Sequence, residues 1–168
     1  MPWTTPKTDF APGNILTAAQ MNAIGENLSV IGGTWTSYTP TWTNLTVGNA
    51  TQASAYIAAG KLYVVRIKLT FGSTTSISGI PEFTLPNSAS YDSDYTTAAH
   101  LGLGAMNDVS GPVTTGCVIF PGTVATRARF LVQQTSATYL TYAAASATIP
   151  FTWTTGDQLE AQFLFEAL

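Results

Sequence analysis

Two periods divide the chain. Between Ala18 and Ile31 the apolar residues Met21, Ile24, Leu28 and Ile31 recur at spacings of three, four and three. That is the a/d seam of a short amphipathic helix. Thr17 and Gln20 fit the T-x-x-Q capping box, whose side chains satisfy free N–H groups of the first turn. Gly32 and Gly33 stop the helix. The seam covers about two heptads, fewer than a self-sufficient coiled coil needs. A helix this short is marginal in water, and Gly25 weakens it further. Its apolar stripe therefore needs cover, either from the body of its own chain or from the same helix in sister subunits.

From Trp35 onward the period is two. In "KLYVVRIKLTF" Tyr63, Val65, Ile67, Leu69 and Phe71 point one way, and Leu62, Val64, Arg66, Lys68 and Thr70 the other. Ala59 and Gly60 before it read as a hairpin turn after "ASAYIA". "SGIPEFTLP" reads as a strand interrupted by Pro81 and Pro86, hence near an edge. A loop is expected around Ser88–Asp94 and a strand near Thr97–Met106. "TTGCVIFPG" is a short buried strand, and "RARFLVQQ" with "ATYLTYAA" a hairpin turning near Thr135–Ser136. In the last segment Leu159, Ala161, Phe163 and Phe165 alternate with Glu160, Gln162, Leu164 and Glu166.

Short strands with turn signals about every 8–12 residues predict an all-β fold, a jelly-roll-like antiparallel β-sandwich with the last strand placed centrally. It is preceded by an arm and one short helix. The arm, "WTTPKTDFAPGN", has neither period and reads as an extended segment that gains order on a partner. The expected division is residues 1–33 for arm and helix and 34–168 for the sandwich.

Composition narrows the function. Charged residues are 9% of the chain, against about 25% in ordinary soluble domains. A surface built from Thr, Ser, Asn and Gln suits a protein packed among other subunits. The net charge is -3, with no basic run, so no nucleic-acid partner is expected. No apolar stretch approaches the roughly 18–20 residues of a membrane span. The start lacks the charged and apolar regions of a signal peptide, so synthesis and retention in a cytoplasm are expected. Cys117, the sole cysteine, sits among apolar neighbours and reads as a buried, inert thiol.

No catalytic set stands out. His100 is the only histidine, with no nucleophile or carboxylate at a triad's reach in the sequence; a structural or subunit-contact role is expected. Asp92 and Asp94 are spaced as in calcium loops but lack the following Gly and distal Glu. No metal, cofactor or enzymatic activity is expected. Binding is the better prospect. Tyr91, Asp92, Asp94 and Tyr95 form a loop in which flat rings and carboxylates would suit the C–H faces and hydroxyls of a host glycan.

The front, "PWTTPKTDFAPGNILTAAQMNAIGENLSVIGG", resembles the opening of many bacteriophage minor structural proteins, through Trp3, Pro6, Phe10, Gly13, Leu16, Thr17, Ala18, Ala19, Met21, Asn22, Asn27 and Leu28. "YTPTWTNLTVGNATQASAYIAAGKLYVVRIKLTFGSTTSISGIPEFTLP" resembles a signature of phage tail and fibre β domains, and "IPFTWTTGDQLEAQFLFEA" their close. The resemblance implies a virion protein, made in the host bacterial cytoplasm. Its arm, with Trp3, Pro6 and Phe10, would anchor the subunit to other virion proteins of tail or capsid. Its helix, with Met21, Ile24, Leu28 and Ile31, would assemble a homotrimer. Two roles stay open: a minor tail or fibre protein touching the host surface, and a capsid decoration or head fibre protein. The chain departs from long fibres in having no collagen-like or shaft segment between helix and sandwich, which implies a compact knob seated on the particle.

Overall fold

The computed structural model describes residues 11–13, 15–31, 34–92, 94, 100–111, 113–136 and 139–168. Helix α1 (Ala18–Ile31) comes first. Strands β1 (Thr36–Ser37), β2 (Trp42–Thr46), β3 (Thr51–Gln52), β4 (Ala55–Ala59), β5 (Leu62–Thr70) and β6 (Ser76–Thr84) follow. Then come β7 (Gly102–Asp108), β8 (Val113–Pro121), β9 (Arg127–Ser136), β10 (Tyr139–Ala144) and β11 (Gln158–Glu166). They join in one sheet in the order β1-β4-β5-β11-β7-β8-β9-β6-β2, with β3 on β5 and β10 on β9. All these pairings are antiparallel.

The sheet curls until its flanks meet. The rings of Phe83 on β6 and Phe163 on β11 lie 5.6 Å apart although three strands separate them in the sheet order. The inside is the core: Val65 and Leu69, Met106, Ile119, Phe130, Phe83, Leu159 and Phe165 are all fully buried. The fold is thus all-β and antiparallel, as the period of two predicts. β11 sits centrally between β5 and β7, the place expected for the last strand. It pairs with β5 from Gln158↔Thr70 to Glu166↔Leu62. The Phe83, Phe163 and Phe165 rings add edge and offset contacts to the area they bury.

The turn chemistry follows the sequence. β4 and β5 pair up to Ala59↔Leu62, leaving Gly60 and Lys61 as the hairpin loop. Gly60 takes φ 62 there, the positive φ that such a loop requires and that glycine adopts without strain. Pro81 lies inside β6, next to the edge strand β2. β9 pairs with β6 only over Glu82–Thr84, and β2 shifts register between Thr43 and Leu45. Pro81, which has no N–H to give, therefore falls at the bulge. Residues 78–81 of β6 stand opposite the single residue Asn44 (φ 58) there, whose side-chain amide donates to the Ile80 carbonyl at 3.0 Å.

The expected strand near Thr97–Met106 begins at Gly102, and its first three expected residues lie outside those described. The β9–β10 hairpin closes at Tyr139↔Ser136, with its turn outside the described residues. Cys117 is buried on β8, and burial pushes its thiol up to about 12. At neutral pH it carries no thiolate with which to react. Among the described residues no helix is long and apolar enough to cross a membrane.

Candidate functional site

The capping box at the start of α1 forms as the sequence predicts. Thr17 N–H donates to Gln20 Oε1 at 2.9 Å, and Gln20 N–H donates to Thr17 Oγ1 at 3.3 Å. The helix touches the body at β4. The side turned inward carries Asn27, which is buried, with Gln20 and Ala23 half-buried beside it. The seam faces away: Met21 is 51% exposed, Ile24 38% and Leu28 66%. Leu16 and Ile15 extend the apolar surface ahead of the helix. Gly25 lies on the same side, and nothing stands within 4 Å of where its side chain would be. Of the two covers weighed for the seam, the chain's own body supplies little to Met21, Ile24 and Leu28 among the described residues. The side chain of Ile31 lies outside what is described, as do Trp3, Pro6 and Phe10 of the arm.

The loop singled out for glycan contact is only partly at the surface. Tyr91 is buried in the core, bridged to Ala167, and its hydroxyl donates to the Gly122 carbonyl at 3.4 Å. Its ring is therefore not an exposed platform. Asp92 is half-buried and ties the loop down, its N–H donating to the Glu166 carbonyl at 3.0 Å. Its Oδ1 accepts the N–H of Asp94 at 3.0 Å, a local turn. Asp94 is exposed, and Tyr95 lies outside the described residues. Among the described residues no group of acidic, His and Cys side chains is placed to hold a metal ion. His100 is exposed and packs edge-on against Phe120 and Tyr142, at 4.7 and 5.4 Å between ring centres.

A second site is not legible in the sequence. The registers of β5, β11 and β7 set Arg66 opposite Gln162 and Gln162 opposite Leu103. One step along, Lys68 stands opposite Glu160 and Glu160 opposite Ala105. These residues occupy the outer face, because Ile67, Leu159 and Ala161 between them point into the core. Lys68 Nζ lies 2.6 Å from Glu160 Oε1 and donates to Gln158 Oε1 at 3.3 Å. Trp35, just beyond the helix, is half-buried with its ring over Arg66, whose guanidinium carbon is 4.4 Å from the ring centre.

These side chains border an open groove of about 860 Å³. Past Arg66 and Lys68 it meets a second hollow of about 330 Å³, bordered by Ser37, Ser54 and Ala55. Ser54 is buried, and its hydroxyl has no hydrogen-bond partner among the described residues. Arg66 has no carboxylate partner among the described residues. The alternation that turns Arg66, Lys68, Glu160 and Gln162 outward is visible in the sequence; the register that brings them together is not.

No family model matches the chain, and neither a curated protein nor a solved structure matches it.

Proposed function

We propose that this chain is a non-enzymatic structural protein of a bacteriophage particle. It works as a homotrimer assembled through α1 and attached to other virion proteins by the arm that carries Trp3, Pro6 and Phe10. The observation that carries this reading is the outward seam of Met21, Ile24 and Leu28 on a capped helix. Full burial of a Met, Ile or Leu side chain is worth about 1.5–3 kcal/mol. Covering the exposed part of three such residues in each of three chains gives several kcal/mol toward assembly. Two heptads per chain are enough for such a contact when larger domains pack beside it. The low charge of the chain adds to this, because neighbouring subunits repel each other little.

As a minor tail or fibre protein, the trimer would meet the host surface with its sandwich domains. A second role, capsid decoration or head fibre, is favoured by one feature. Only the stretch from Gly32 to Thr41 separates α1 from β2, so no shaft lifts the sandwich from its seat. Quantitative mass spectrometry of purified particles against the major capsid protein separates the two. A few trimers per particle identify a tail or fibre position; a copy number on the order of hundreds identifies the shell. Absence of the chain from purified particles overturns the virion reading.

A further inference from the structure

We propose that the groove on the outer face of β5, β11 and β7 is a binding site for an acidic saccharide, with Arg66 taking a sugar carboxylate and Trp35 and Leu103 taking the C–H face of the ring. The inference deepens the host-contact part of the reading above and rests on that reading only for its biological purpose.

Several features of the groove point to a sugar. It is an open groove of about 860 Å³ along the sheet face, and its continuation past Arg66 leaves room for more than one unit. Saccharides need flat apolar surface beside planar polar groups, since each ring has a C–H face and a rim of hydroxyls. Trp35 and the exposed Leu103 offer the first. The amide of Gln162 both donates and accepts, and Glu160 accepts. Leu103, Glu160 and Gln162 stand on strands paired on both sides, so little order is lost there when a ligand arrives.

Charge makes the ligand acidic. Lys68 and Glu160 neutralise each other at 2.6 Å. Among the described residues Arg66 is then the uncompensated charge of the groove, and Trp35 holds it in place by a cation–π contact. A guanidinium binds a carboxylate through two parallel N–H bonds, a geometry a lysine lacks. The acid is unlike a nucleic-acid strand, because Glu160 stands in the groove and a single unpaired cation among the described residues does not track a phosphate chain.

The test is titration of the full chain with tetragalacturonate, a linear tetramer of uronic acid, and with maltotetraose, a neutral tetramer, followed by calorimetry and tryptophan fluorescence. Saturable binding of the uronide, with maltotetraose at least about tenfold weaker, is expected, as hydrogen bonds to charged groups carry that much. Arg66→Gln and Trp35→Ala should each weaken uronide binding at least about tenfold while sedimentation and melting temperature stay as in the wild type. No saturable uronide binding, or binding indifferent to both substitutions, overturns the site. So does a change of sedimentation in Arg66→Gln, which would make this face a contact between copies of the chain. Failed sugar binding with the oligomer intact sinks the groove and leaves the assembly reading standing. A monomeric wild type that binds the uronide does the reverse.

Discussion

Asn27 and Leu28 are neighbours on α1, about 100° apart around its axis, and differ sharply in cover: Asn27 is 5% exposed and Leu28 66%. A surface helix on a globular protein turns its apolar side to the core and its polar side to water. Here the polar residue goes in and the a/d seam stays out. The arrangement makes sense for a helix whose apolar side is reserved for copies of itself.

If the arm is the anchor, deleting residues 1–15 removes attachment and spares the fold, since the core comes from β2 to β11. The truncated protein should be soluble, with an unchanged far-UV spectrum, and missing from purified particles. Incorporation at the wild-type level would show that attachment lies elsewhere.

Asp157 is fully buried, and both its oxygens are used. Oδ1 accepts the Val109 N–H at 3.0 Å; Oδ2 accepts the Thr154 N–H at 2.5 Å and its hydroxyl at 3.2 Å. The carboxylate thus ties the turn before β11 to the turn after β7. Asp157→Ala strands three donors and should cost about 3 kcal/mol in a urea titration, with Asp157→Asn costing about half of that. An Asp157→Ala midpoint within error of the wild type would remove the clamp from the account.

Asp108 makes a lighter turn of the same kind. Its Oδ1 accepts the Ser110 hydroxyl at 2.7 Å, the Gly111 N–H at 2.8 Å and the Ser110 N–H at 2.9 Å. The Ser110 hydroxyl foremost, then the Gly111 N–H, hold its carboxyl below the usual Asp range. The folded value therefore lies under the unfolded one. The stability it adds is present above the unfolded value, about 3.9, and is lost as pH falls through the folded value. Urea midpoints of the wild type and Asp108→Asn should keep a constant gap at neutral pH and converge below about pH 4. A gap that stays constant into acid would mean the carboxylate's bonds add nothing.

Much of the fold can be read from the residues because it rests on local rules. The capping box needs only Thr17 and Gln20, and the hairpin only a residue that accepts the φ of Gly60. The inward row of β5 and that of β11 show as strict alternation, and both are buried apart from the half-buried Tyr63. Tyr91 marks where local reading stops. Between Ser90 and Asp92 it looks like a loop residue, yet pairing with Ala167 at the far end of the chain puts it in the core. The groove is hidden for the same reason. Trp35, Arg66, Leu103 and Gln162 come from four separated segments, and only the register of three strands makes them neighbours.

The most direct test of the central claim is sedimentation of the wild type beside a variant carrying Ile24→Asp and Leu28→Asp. The account predicts a wild-type trimer and a monomeric variant with an unchanged β spectrum, since buried unpaired charges in the seam would oppose assembly. A monomeric wild type, or a variant that remains trimeric, would contradict it.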